Sequence, residues 1–265
     1  MKYNPLVSIV MNCHNGEKYL KKSINSIINQ TYKNWEVVFW NNNSKDNSKK
    51  IFKKFKDKRL RYFESPIFKN LYEARNQAVS KCKGQYICFL DADDWWVKSK
   101  VYEQVLTFKK NKKVNFIYSN YYQFNQKFKK KYLFSKSDLP DGKITQQLLD
   151  SNKIGIITVM MKRSIFKKQK FDKRFNIIGD FDFFLRLSLN HNLKVIQKPL
   201  AYYRIHSSNY SRLHLSKYIK EIQQWIESNE KKFDQNKYSF KRIKIEIYKI
   251  RIKKFLSYFA AFFKY

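Results

Sequence analysis

Apolar and polar positions fall into alternating blocks along the first hundred residues. "LVSIVM" (6–11) is almost unbroken apolar with β-branched members, the pattern of a strand buried on both faces. Over 17–30, Leu20, Ile24, Ile27 and Ile28 recur at helical spacing and predict a helix with one apolar stripe. "WEVVFW" (35–40) predicts a second strand, followed by the polar loop "NNNSKDNS" and a helix near 47–56. "LRYF" (60–63) predicts a short strand, followed by a helix near 71–82 and the strand "YICFL" (86–90). Strands separated by helices of this length predict βαβ units and a parallel sheet. Ligands of such sheets collect beyond the carboxyl ends of the strands. Three polar stretches, "NCHNG", "NNNSKDNS" and "DADDWW", fall at those ends.

Composition narrows the class. The 265 residues are 43% hydrophobic, enough for a sizeable core, and this excludes wholesale disorder. Only 5 Gly and 4 Pro argue against collagen-like, linker-rich or repeat architectures. Cys13, Cys82 and Cys88 form no metal-ligand or redox pattern, and an odd count suits a reducing compartment. The apolar run near the start is too short for a signal peptide, and no stretch reaches transmembrane length. A cytoplasmic place follows as the expectation. The 56 Lys and Arg against 21 Asp and Glu give a formal charge of +35, which attracts nucleic acid, anionic lipid or phosphorylated small molecules. The lysines are scattered over nearly every segment, however, as biased composition alone would leave them.

The last segment differs. Residues 237–265 hold nine Lys and Arg against one acid, Glu246. Ile245, Tyr248, Ile252, Phe255, Phe259 and Phe262 form a stripe suited to a basic amphipathic helix, although 242–247 also alternates as a strand does. Such a helix either lies on an anionic membrane surface at the inner face of the plasma membrane, or packs back on the domain or a second copy.

"FLDADDWW" (89–96) sets Asp91, Asp93 and Asp94 within four positions at a strand end, in a chain otherwise rich in lysine. Clustered carboxylates there are costly unless a cation neutralises them, and oxygen ligands suit Mg²⁺ or Mn²⁺ bridged to substrate phosphates. The alternative is a helix start, with Asp94 as N-cap and its neighbours near the positive end.

The order of motifs points further. "VSIVMNCHNGEKYLKKSINSIINQTYKNWEVV", "NNNSKDNS", "NLYEARNQAVSKCKGQYICFLDADDWW", "FDKRFNIIGDFDFFLRLS" and "YYRIHSSNYS" together resemble family 2 glycosyltransferases of the GT-A fold over residues 6–211. The resemblance implies an α/β architecture, a Rossmann-like mainly parallel sheet flanked by helices, with a C-terminal helical extension. Residues 1–97 would be the nucleotide-sugar half, 98–211 the acceptor half, and 212–265 the extension. It implies inverting transfer from a nucleotide diphosphate sugar, expected to be a UDP-sugar, to a glycan or lipid-linked acceptor in cell-surface polysaccharide synthesis.

Residue by residue, the resemblance makes Asp91 and Asp93 the Asp-x-Asp pair, with Asp93 on the metal, and places Arg75 and Asp46 near the donor. Cys13, His14, Asn15, Glu17, Asn41 and Asn42 line the same nucleotide-sugar loops. Asp180 in "GDFD" matches the general base, and His206 in "YYRIH" a histidine close to the metal and diphosphate. Both also have structural readings: Asp180 as an N-cap with Asp182 as first-turn acid, His206 as a turn histidine. The chain departs from the pattern at Asn12–Asn15, at Asn41, where the family has an aspartate, and at Gly179, where many members have glutamate. The last two leave a catalytically impaired sugar-nucleotide binder as one alternative. A basic nucleic-acid-binding protein is another, though no nucleic-acid motif is present and no specific nucleic acid is expected. The paired carboxylates of a glycosidase are not implied, since those activate water without a metal.

Overall fold

Seven residues, β1 (Val7–Cys13), form the centre of the first half-sheet, and every one except Asn12 is buried. This is from a computed structural model describing residues 3–262, with side chains in the last helix as far as Ile252, and Leu256 beyond it. α1 (Glu17–Ile28) buries Leu20, Ile24 and Ile27. It ends two residues short of 30 because the Asn29 and Gln30 N–H groups close the last turn on Asn25 and Ile27. β2 (Trp35–Asn41) is buried throughout, as its unbroken apolar pattern requires. α2 (Ser48–Lys53) and β3 (Leu60–Glu64) follow, the helix shorter than 47–56. α3 (Leu71–Ser80) starts where the Asn70 side chain accepts the Glu73 N–H at 2.8 Å.

β4 (Tyr86–Phe89), β5 (Trp95–Trp96), α4 (Lys100–Lys110), β6 (Phe116–Asn125) and β7 (Lys130–Leu133) come next. They lead to α5 (Thr145–Asp150), β8 (Met160–Lys162), α6 (Arg163–Lys168), α7 (Gly179–Ser188) and β9 (Lys194–Ile205). The chain closes with α8 (Tyr210–Leu213), α9 (Leu215–Asp234) and α10 (Lys241–Phe262).

The sheet order is β3-β2-β1-β4-β8-β6-β9-β5, with β7 added beside β6. β3, β2, β1 and β4 are parallel, the βαβ arrangement the sequence predicts. Beyond β4 the sheet becomes mixed, since β8 runs antiparallel to β4 and β6 while β6 and β9 are parallel. β9 carries Pro199 at a register shift against β6, where the missing N–H costs no regular ladder bond.

The C-terminal helices share the sheet's core. α9 contributes Ile219, Ile222, Trp225, Ile226 and Phe233, and α10 contributes Ile243 and Ile247. The alternation over 242–247 is therefore helical, with Ile243, Ile247 and Ile250 spaced by four and three residues on the packed face. Ile245, Tyr248 and Ile252 of the predicted stripe, with Leu256, are exposed. Phe255, Phe259 and Phe262 lie outside the described side chains. No helix among the described residues is long and apolar enough to cross a membrane.

Candidate active site

Two clusters form beyond the carboxyl ends of β1 and β4. In the first, Arg75 on α3, almost wholly buried, donates from Nη2 to Asp91 Oδ1 at 2.6 Å. A buried guanidinium needs a partner carboxylate, so Asp91 is held by α3 rather than left to repel its neighbours. Asp180 shares this environment: Tyr72, one turn before Arg75, donates its hydroxyl to Asp180 Oδ1 at 3.3 Å and to the Ile177 carbonyl at 2.8 Å. Burial pushes the Asp180 carboxyl above its ordinary range; Arg75 opposes this and Asp91 adds to it. The chain thus brings Arg75, Asp91 and Asp180 together from three distant segments.

In the second cluster, His206 Nε2 lies 2.9 Å from Asp93 Oδ2, and its Nδ1 lies 2.8 Å from the Ser208 hydroxyl. The His206 N–H donates to Asn209 Oδ1 at 2.7 Å, which fixes the ring's backbone. Behind them, Asp94 is buried and accepts the Arg204 N–H at 2.7 Å. Asp94 does not cap a helix as the alternative reading had it, because β5 follows directly and α4 begins only at Lys100. Burial, with the charges of Asp93 and Asp91, raises its carboxyl well above the usual range. Arg204 donates from Nε to the Asp93 carbonyl at 2.6 Å and stacks on Tyr19 and Trp95 at 4.3 and 4.5 Å. Arg204 lies in "YYRIH" and Asp94 in "DADD", but nothing in either stretch pairs the two residues across the chain.

The nucleotide loops are tied together by their own side chains. Asp46 accepts the Glu17 and Ser48 N–H groups at 2.9 and 3.0 Å, and Glu17 in turn accepts the Asn47 N–H at 2.9 Å. Asn15, at a positive φ of 53°, accepts the Lys45 N–H at 2.8 Å. Asn42 holds the 65–70 segment by exchanging bonds with Lys69. Asn41 is fully enclosed: Oδ1 accepts the Ser44 N–H at 3.1 Å, while Nδ2 donates to Tyr62 and Glu64 at 2.9 and 3.0 Å. Cys13 is buried, and burial raises its thiol pKa. The His14 ring is exposed and meets Phe68 at a centroid distance of 4.6 Å, leaving an open aromatic edge at the loop.

What sets Asp180 in place explains one departure from the family pattern. A Cβ on Gly179 would stand 2.5 Å from the Tyr72 ring, so only glycine fits. α7 begins at Gly179, which makes Asp180 a first-turn residue, not the N-cap of the alternative reading. The N–H groups of Asn176, Ile177 and Ile178 are instead bound by the Glu221 carboxylate of α9, at 3.0, 2.9 and 3.2 Å. Asp182 is buried and committed to Arg186 at 2.6 Å and the Trp225 indole at 3.0 Å, so it ties α7 to α9 and is no substitute base.

Among the described residues no three His, Cys, Asp or Glu side chains converge as a complete metal cage. Asp93 and His206 supply one carboxylate and one imidazole facing each other. Sites for Mg²⁺ and Mn²⁺ that hold substrate phosphates need only one or two protein carboxylates, so this donor pair fits such an ion.

Residues 8–175 match the model for glycosyl transferase family 2. The chain is 31% identical over 225 residues to UDP-Glc:alpha-D-GlcNAc-diphosphoundecaprenol beta-1,3-glucosyltransferase WfgD of Escherichia coli, covering 83% of this chain and 84% of that one. It is 34% identical over 209 residues to WfaP of the same organism, whose name gives the same activity, covering 78% and 80%. Among solved structures, S. aureus TarS in complex with UDP-GlcNAc superposes with a TM-score of 0.65 at 16% identity, over 78% of this chain and 60% of that one. The fold is of the GT-A type, and the chain belongs to glycosyl transferase family 2.

Proposed function

We propose that this glycosyltransferase moves a sugar from a UDP-sugar to a hydroxyl of a diphosphate-lipid-linked glycan, inverting the anomeric centre. The observation that supports it is Asp180: one carboxylate, poised by Tyr72 and raised by burial, at the mouth of the Arg75–Asp91 pair. A raised pKa makes a carboxylate a better proton acceptor near neutral pH. The acceptor oxygen attacks the anomeric carbon and its proton passes to Asp180, while the carbon–oxygen bond to the nucleoside diphosphate breaks. A base that takes the acceptor proton as the donor bond breaks fits a single displacement, and hence inversion.

Asp93 and His206 would hold Mg²⁺ or Mn²⁺, which when bound stabilises charge on the departing diphosphate. Arg75 fixes Asp91 toward the donor, and the Asp46–Glu17 stitching shapes the loops around it. The lipid-linked acceptor and UDP donor are supported by the names of the WfgD and WfaP relatives. The test is transfer from radiolabelled UDP-glucose and UDP-GlcNAc to synthetic GlcNAc-diphosphate-lipid with Mn²⁺. A labelled product with inverted linkage is expected; hydrolysis alone, or transfer only from another nucleotide sugar, would overturn the assignment.

A further inference from the structure

A cleft of about 450 Å³ opens beside His206, lined among others by Tyr19 and Phe128 and by three cations, Lys18, Lys127 and Arg212. Its rim is built by the β6–β7 hairpin and α8. The hairpin carries Lys127, Lys129, Lys130 and Lys131, all exposed, and among the described residues no carboxylate pairs with any of them. Between the lysines Phe128 is 62% exposed at the tip, and Tyr132 and Leu133 follow on β7, itself an edge strand. Across the cleft, α8 exposes Tyr210 and Leu213 next to Arg212.

An exposed aromatic tip flanked by lysines is complementary to an anionic lipid surface. The cations meet headgroups, and Phe128 and Leu213 enter the acyl boundary. Phe128, Tyr132 and Tyr210 could stack on bases, but the exposed Leu133 and Leu213 beside them have no such use and suit an apolar phase, which favours lipid over nucleic acid as occupant. We propose that the β6–β7 hairpin and α8 form a lip that seats the protein on an anionic bilayer, with the cleft facing the headgroups. This deepens the lipid-linked-acceptor reading and rests on it for its purpose, but the binding itself is independent of catalysis. It also assigns the membrane contact to a surface beside the candidate active site rather than to α10.

Full-length protein is mixed with vesicles of phosphatidylcholine alone or with 30% phosphatidylglycerol, and the bound fraction is measured by sedimentation. Binding only to the anionic vesicles is expected, weakened by salt. Lys129→Ala with Lys130→Ala should reduce the partition about 25-fold, at roughly fivefold per lysine removed. Phe128→Ser should reduce it further. Ile245→Ser with Tyr248→Ser on the exposed face of α10 should leave it unchanged. Circular dichroism confirms that each variant is folded. Loss through the α10 pair with the hairpin variants unaffected would overturn the proposal, as would absence of anionic-vesicle binding or preference for an RNA homopolymer over vesicles. Transfer to a soluble, short-chain acceptor by the hairpin variants separates failure of the lip from failure of the activity.

Discussion

Asn41 Nδ2 donates to Glu64 Oε1 at 3.0 Å, across the parallel pairing that sets the two residues side by side at the ends of β2 and β3. The family's aspartate at position 41 is thus replaced where a carboxylate already stands next door. Glu64 is itself held ionised by Lys49, whose ammonium lies 2.7 Å away and keeps the carboxyl below its ordinary range.

Asn41→Asp would put a second carboxylate into a fully enclosed position against Glu64, with the bond donated to Glu64 lost. The expected cost is about 1–3 kcal/mol, the usual range for leaving a buried polar group unmatched. Glu64→Gln in the same chain removes one charge and restores a donor, so the double variant should recover most of the stability. Urea unfolding of the four proteins checks this; additive losses would show that the two positions do not communicate.

Gly179 and Tyr72 are coupled by shape. Gly179→Ala places a methyl against the ring, and overpacking of this kind costs roughly 1–3 kcal/mol. Because Tyr72 also orients Asp180, the variant should lose turnover along with stability while donor binding persists. Thermal unfolding and transfer rates on the same preparation distinguish this from a purely structural effect. Wild-type turnover at the permissive temperature would show that Asp180 does not depend on the Tyr72 contact.

The course of β1, β2 and β4 was readable because each is a nearly continuous apolar run, while β3, with Arg61 inside it and only partly buried, was readable from its place between two helical stretches. Helix ends were less readable, since Asn29 and Gln30 close α1 with backbone bonds that leave no side-chain signal. The site residues that motifs carry, Asp91, Asp93, Asp180 and His206, do come together in two clusters. Of their supports, Tyr72 and Arg204 stand in the same motifs but their partners do not show in sequence, and Glu221 comes from α9, whose relation to the site exists only in three dimensions. α10 was half legible: its stripe at 245, 248 and 252 is the exposed face, while Ile243 and Ile247, which pack on the core, follow a second register in the same helix.

Asp93 and His206 should fail together. Asp93→Asn removes the charge that His206 faces at 2.9 Å and the carboxylate a divalent ion needs. Calorimetric titration of UDP in the presence of Mn²⁺ should show donor affinity lost in Asp93→Asn and weakened in His206→Ala, with unfolding temperatures near wild type. Mn²⁺-dependent UDP binding of wild-type strength in Asp93→Asn would place the ion elsewhere.

Asp180→Asn tests the base, and the direction of its pKa shift gives two signs to check. The carboxyl is raised by burial, so the catalytic form appears only above that raised pKa, and wild-type kcat should fall as pH drops through it. In the variant this limb should vanish, with kcat down roughly 10²–10⁴-fold, the span for losing general-base assistance. Donor affinity should be little changed, since Asp180 touches Tyr72 and its own helix rather than the Asp93–His206 pair. For stability, a raised folded pKa means the native state binds the proton more tightly than the unfolded chain does. Wild-type stability therefore declines as pH rises from the ordinary aspartate range through the raised value. An amide at 180 has no such decline, so Asp180→Asn should be at least as stable as wild type above that window while being nearly inactive. Unfolding midpoints and kcat measured across pH decide both signs. A variant that unfolds more readily at neutral pH, or that keeps its acid limb, would show that the proton in question is held by another group.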